Sequence, residues 1–303
     1  MRADLSSVVS NLLKTDAGRR HPLQVLARFG FLQLHKRLVR RPFSFTTPTG
    51  TRAFVEPEGD FTGITGLFYL QLPTLNELVF ACHCLRPGDV FWDVGANQGF
   101  WSLLLAGRGI EAHAFEPAPA TFANQCRQFE FQRSPHRERL HGHNVGLAAR
   151  PGQMRLTVNL GTANYLLGED QPYQGETATV EVTTADAFRA IAAPPRLMKI
   201  DVEGWTLPVL EGAQEMLAQP DLLALVIETF RSADGDKPEV RNAEELLARF
   251  GFHPFSYDPG TRVLRPLTGT RDGRDDTIYV RDPEGVGRRL ASAPPVTCFG
   301  DAF

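Results

Sequence analysis

Asp93 closes a short apolar run, Val90-Phe91-Trp92, and is followed at once by Val94-Gly95-Ala96-Asn97-Gln98-Gly99. An acid at the end of a strand-length apolar segment, then a turn with two glycines, is where an open α/β sheet presents a ligand. Gly95 and Gly99 leave backbone bare for close approach or for positive φ. The Asp93 carboxylate has two uses there: accepting from a ligand ammonium group, or fixing the turn through backbone N–H groups. A second acid, Glu116, ends Ala112-His113-Ala114-Phe115, 21 residues beyond Gly95. That is near the ~20 expected of a carboxylate gripping ribose hydroxyls. Its alternative is a helix N-terminal acid, favourable to the dipole. Together the two acids point to a nucleoside-bearing cofactor.

The same turn narrows the choice of cofactor. A dinucleotide fingerprint needs a second and third glycine to receive a pyrophosphate. Asn97 and Phe100 stand at those positions, which disfavours an NAD-dependent oxidoreductase. No G-x-x-x-x-G-K-S/T phosphate loop occurs. S-adenosylmethionine carries no phosphate and tolerates this turn.

Asp93 to Gly99, the Phe115-Glu116-Pro117 step, and Lys199-Ile200-Asp201-Val202-Glu203-Gly204 followed by Val209-Leu210-Glu211-Gly212-Ala213 resemble the FkbM family of methyltransferases. The resemblance runs over most of the chain, through Arg86-Pro87-Gly88-Asp89, Ile227-Glu228 and Gly251-Phe252. It implies a Rossmann-like α/β methyltransferase fold with a seven-stranded, mostly parallel sheet and helices on both faces. It also implies S-adenosylmethionine-dependent O-methylation of a hydroxyl on a sugar, glycan or natural product. By matched position, Asp93, Gly95, Asn97 and Gly99 line the methionine end of the cofactor and Glu116 holds the ribose. Asn144 falls beside the adenine, although it reads equally as a turn former. The family often has an acid two residues after the Gly204 position; Thr206 stands there, and is expected to cap the following helix. A non-catalytic binding protein on the same fold is the alternative.

An alcohol is a poor nucleophile at neutral pH and needs a base or a metal. Asp201 and Glu203 stand at the carboxyl end of the fourth core strand; if the strand runs on to Glu203, they share a face. Two close carboxylates push one pKa upward, which favours a base. Asp201 or Glu203 is therefore expected to contact the acceptor hydroxyl. A divalent cation on Asp201 and Glu228 would suit oxygen ligands and is left open. His141 and His143 alternate on a strand and read as polar strand residues.

The elements that position these groups alternate from Arg86 onward. Strands are expected at 90–94, 111–115, 139–145, 197–200, 222–227 and 277–280. Helices are expected at 100–106, 118–131, 209–217 and 243–250, with a hairpin or edge strands at 154–160 and 177–182. Such alternation predicts a mostly parallel sheet covered on both faces. Residues 1–85 form a helical and extended cap, 86–283 the cofactor domain and 284–303 a tail. Within the cap, 22–41 is a basic amphipathic helix, interrupted at Gly30, that packs on the core or touches a membrane surface or anionic glycan. Specificity is expected in 1–85, in the tail and around 161–175, where Tyr165 and Tyr173 could stack on a sugar.

Composition excludes other classes. Lys plus Arg number 32 against 35 acids, a net charge of −3, which gives no general attraction to nucleic acid. No apolar run approaches the ~20 residues of a membrane span, and the first 14 residues lack a signal-peptide core, so a cytoplasmic location is expected. Cys82, Cys84, Cys126 and Cys298 lack zinc-site spacing and read as free thiols. The pattern leaves the oligomeric state undetermined.

Overall fold

The computed structural model describes residues 5–57, 62–168, 171–231, 238–267 and 273–303. Residues 1–4 of the start, 58–61 of the cap and 169–170 of the insert lie outside the described residues. A central sheet runs, edge to edge, through Leu140–His143, Glu111–Phe115, Val90–Val94, Leu197–Ile200, Ala224–Arg231, Gly273–Val280, His253–Asp258 and Val263–Pro266. The first five strands are mutually parallel and the last three antiparallel. This is the Rossmann-like α/β arrangement. Among the described residues it has eight strands rather than seven, because Val263–Pro266 turns back on His253–Asp258 as an added edge.

Burial explains the near-continuous apolar runs of the central strands. Phe91, Trp92, Val94, Leu197, Met198 and Ile200 are all essentially inaccessible, as expected of parallel strands covered on both faces. From Val90–Val94 the chain moves outward to Glu111–Phe115, and it later re-enters at Leu197–Ile200 on the other side. The strand order therefore reverses between these two strands, and the crevice beyond their carboxyl ends is the ligand position of such sheets.

Three local readings change in the structure, and the expected pairing of the insert strands is present. Helix Pro22–Leu38 is unbroken at Gly30, where an added Cβ would meet nothing within 4 Å; an exposed glycine weakens a helix without ending it. The helix expected over 209–217 divides into Thr206–Glu211 and Gln214–Leu217. At Gly212 between them, a Cβ would lie 2.1 Å from the Ala148 carbonyl oxygen, so the chain bends at a forced close approach. Thr206 is the first residue of its helix rather than the cap, and no side chain caps that end. Gly152–Thr157 and Thr177–Thr183 pair antiparallel, in a separate sheet with Gly146–Leu147 and Leu166–Leu167.

The 1–85 segment contributes helices Leu5–Lys14, Asp16–Arg20, Pro22–Leu38, Gly63–Leu70 and Leu75–Cys84 and the hairpin Phe43–Thr46/Arg52–Val55. Leu12, Val25, Leu32, Leu67 and Leu78 share one core with Phe91, Trp101 and Val226 of the sheet layer and with Val296 and Phe303 of the tail. Cys82, Cys84 and Cys298 are buried and all four cysteines are free, while His83 between the first two pairs through Nδ1 with the Tyr257 hydroxyl at 2.7 Å. Among the described residues no helix is long and apolar enough to cross a membrane.

Candidate functional site

Two cavities open beside the switch in strand order. The first, of ≈ 270 Å³, is bounded by the Val94-Gly95 turn, by Phe115-Glu116-Pro117, by Asp201 to Glu203 and by Leu147, Leu156 and Leu166 of the small sheet. The second, of ≈ 410 Å³, lies between the 1–85 segment and the sheet, with Asp16, Asn76, Glu77, Trp101, Glu228 and Asp276 on its walls. Among the described residues, Phe100 and Asp201 line both.

The turn after Val90–Val94 is held by short-range demands. Gly95 (φ +77°) and Gly99 (φ +78°) lie in the left-handed region. A Cβ on Gly95 would sit 1.9 Å from the Asp201 carbonyl oxygen, and one on Gly99 2.6 Å from the Phe129 ring. Asn97 also has positive φ (51°), a conformation asparagine tolerates better than most residues. Gly95 and Ala96 donate their backbone N–H groups to the Phe115 carbonyl at 3.0 Å, fastening the turn to the neighbouring strand.

Glu116 carries the turn's second fastening. Its carboxylate accepts from Asn97 N at 3.0 Å and from Ala118 N at 2.9 Å. Burial lifts this carboxyl to about 7 against the downward pull of those two bonds. It stands on the cavity wall beside bare backbone at Gly95 and Gly146 and the apolar side chains of Phe115 and Leu147. One acid amid apolar surface and exposed backbone suits an adenosyl group: hydroxyls for the carboxylate, a flat ring for the apolar wall.

Three of the expected cofactor residues stand back from that wall. Asp93 is buried, and its carboxylate accepts from Ser102 Oγ at 2.8 Å and Ser102 N at 3.3 Å; it anchors helix Phe100–Ala106. Burial lifts its carboxyl to about 6, while Lys199 and the Ser102 bonds pull it down. Gly99 begins that helix and faces Phe129. Asn144 is exposed and donates Nδ2 to the Glu116 and Pro117 carbonyls at 2.8 and 3.1 Å, joining two strand-end turns. Gly95, Asn97 and Glu116 do line the cavity.

At the carboxyl end of Leu197–Ile200 the strand stops before Asp201, and Glu203 occupies a turn with φ +48°. The shared face expected from a continuing strand is absent. Even so, carboxylate oxygens of Asp201, Glu203 and Glu228 lie within 4.8 Å of one another. Beside this cluster the chain places the buried cation Lys199. Its Nζ donates to Asp201 Oδ2 at 2.7 Å and lies 5.5 Å from the Trp101 ring centre. Burial opposes this charge, but Asp201, Asp276 and Asp93 outweigh it and hold the ammonium above its ordinary value. Oxygen donors here suit magnesium, and the Lys199 ammonium balances the charge of Asp201.

Lys199 is the buried cation beside this cluster to which motif reading gave no role. Its signal was available: a lysine inside the fully buried strand Leu197-Met198-Lys199-Ile200 must be paired. The small-sheet wall and Trp101 carried no comparable signal. Trp101 is 1% exposed and its Nε1 has no partner among the described residues. Tyr165 reaches the first cavity, whereas Tyr173 meets Tyr165 edge-on and bonds Asn159 Oδ1 at 2.5 Å. His141 and His143 both stack on His113 and lie away from either cavity.

The model of the methyltransferase FkbM domain matches residues 93–254. The curated protein 31-O-demethyl-FK506 methyltransferase FkbM of Streptomyces tacrolimicus is 33% identical over 200 residues, 55% of this chain and 74% of that protein. Methyltransferase 1 of Beauveria bassiana (strain ARSEF 2860) is 26% identical over 211 residues, 60% of this chain and 82% of that protein. The crystal structure of a methyltransferase FkbM from Methylobacillus flagellatus KT aligns with 84% of this chain at 14% identity and a TM-score of 0.43; the match spans 59% of that longer chain.

Proposed function

Given that this chain belongs to the FkbM family of S-adenosylmethionine-dependent methyltransferases, we propose that it methylates a hydroxyl of a sugar, glycan or natural-product acceptor. The observation that carries this reading is the meeting of the two cavities at Phe100 and Asp201. The first has the mixed character an adenosyl group needs. The second is lined by carboxylates, an amide and an indole, groups that accept from and donate to a polyhydroxylated molecule. Its outer wall comes from the 1–85 segment, through Lys14 to Asp16 and Thr74 to Glu77, which supports a part for that segment in acceptor choice.

In this reading Gly95, Asn97 and Glu116 hold the cofactor directly. Asp93, Gly99 and Asn144 shape the turns around it. When bound, S-adenosylmethionine supplies a methyl group already activated by its sulfonium. The protein's part is alignment, worth several kcal/mol when an oxygen is held in line, and removal of the hydroxyl proton. Asp201, tied to the Lys199 ammonium, is a poor proton acceptor and orients the hydroxyl. Glu203, on the cofactor side of the same cluster, takes the proton.

Calorimetry tests the cofactor half: S-adenosylmethionine and S-adenosylhomocysteine both bind. Single-turnover transfer to glycan acceptors, read by mass, tests the chemistry. Glu203→Gln is expected to slow transfer about 100-fold with cofactor affinity kept, the scale of lost general-base catalysis. Parental rates in both Glu203→Gln and Asp201→Asn would remove these two residues from the mechanism.

A further inference from the structure

Helix Pro22–Leu38 is apolar on two opposite sides. Val25 and Leu32 face inward and are fully buried. On the other side Leu23, Leu26, Phe31, Leu34 and Leu38 project, Leu23 at 77% and Leu38 at 72% exposure. Ala27 and Gly30 fall between them and are also exposed. The spacing of 23, 26, 27, 30, 31, 34 and 38 is that of one helical stripe. With Val39, just past the helix, this short segment holds six of the nine large apolar side chains exposed among the described residues. Such concentration differs from the scatter normal on a soluble surface.

Charge marks what the stripe would meet. From Ala17 to Val55 the sequence has seven arginines, one lysine and no Asp or Glu, in a chain whose net charge is −3. Arg19 and Arg20 are exposed at one end of the helix, Arg37, Arg40 and Arg41 at the other. Arg28, by contrast, is engaged inward, donating to the Phe68 carbonyl at 2.7 Å. A stripe of leucines flanked at both ends by guanidinium groups matches an anionic lipid surface: acyl boundary for the apolar side chains, phosphates for the arginines. A second copy of the chain fits less well, since two-fold pairing would press these cationic segments together. Nucleic acid would use the arginines but leave the leucines in water.

We propose that the outer face of helix Pro22–Leu38 docks the protein on anionic membranes, with the helix lying in the interface plane. The face belongs to the segment whose Lys14 to Asp16 stretch walls the second cavity, so docking would bring that cavity near lipid. The inference rests on exposure and charge alone and stands apart from the chemistry assigned to the site.

Vesicle co-sedimentation of the full chain tests it. Vesicles of phosphatidylcholine with about a third phosphatidylglycerol should retain the protein, and pure phosphatidylcholine at least about tenfold less. Raising the salt should weaken retention. The double variant Leu34→Ser/Leu38→Ser, which leaves charge unchanged, should lose about tenfold or more on the anionic vesicles. S-adenosylhomocysteine binding and Tm report that the variant is folded, because both side chains point to solvent. Equal retention of parent and variant would overturn the proposal, as would no retention of the parent. A parent dimer in light scattering that the variant dissolves would overturn it in favour of self-association.

Discussion

Glu116 shows how one side chain can serve shape and binding together. Its carboxyl is raised to about 7 by burial, although two backbone N–H groups favour its ionised form. In the unfolded chain the same group titrates near 4.5. Between these values the folded protein keeps a proton that the unfolded chain has lost, so this residue's contribution to stability falls as pH rises. A separation of that size is worth about 3 kcal/mol across the window. Glu116→Gln removes the titration at a fixed, pH-independent cost in one lost backbone bond. The Tm of the variant relative to the parent should therefore climb from acid to neutral pH, as followed by thermal denaturation. Parallel profiles would show that the buried carboxyl is not the titrating group. Asp93, lifted to about 6, has the same sign but is present in both proteins and cancels in the comparison.

Turns and helices show which parts of the pattern carried structural information. The strands Val90–Val94, Glu111–Phe115 and Leu197–Ile200 match the expected spans end to end, because each is a short, largely apolar run suited to a doubly covered sheet, with its inward polar members Asp93, His113 and Lys199 buried against partners. Less regular pieces went differently. Helices Gly63–Leu70 and Leu75–Cys84 are buried almost all round, so they lack the one-sided periodicity by which a helix is recognised. Strand Val263–Pro266 is largely exposed and depends on pairing with a neighbour. Gly212 bends a helix because of the Ala148 carbonyl, a partner remote in sequence. For the site, the motifs placed Gly95, Asn97, Glu116, Asp201 and Glu203 around one cavity. They could not show that Asp93 turns back onto Ser102, since only the packed helix reveals it. Glycine substitutions separate the two situations. Gly95→Ala meets both positive φ and the Asp201 carbonyl, and should lower Tm and weaken S-adenosylhomocysteine binding at least about tenfold. Gly30→Ala, on open helix surface, should stabilise by about 0.5–1 kcal/mol in denaturant unfolding.

At the scale of the whole molecule, the 1–85 segment, the sheet layer and the tail share one core. The sheet and its small companion sheet enclose the first cavity, while the 1–85 segment closes the second against the same strand ends. The tail is drawn into this packing too: His21 Nε2 meets Asp301 Oδ2 at 2.9 Å, and Arg28 lies 5.2 Å from the Phe299 ring centre. The elements around the two cavities are thus parts of one packed body. Among the described residues only Phe100 and Asp201 face both spaces, and Gly63 is bare against the Phe100 ring, where a Cβ would lie 2.4 Å away. With the cofactor and the acceptor in these two spaces, as proposed, that ring would limit the size of the alkyl group transferred between them. Phe100→Ala should turn a strict methyl donor site into one that accepts ethyl or allyl sulfonium analogues, detectable as heavier products in competition with the natural donor. An unchanged preference for methyl would mean that donor size is policed elsewhere.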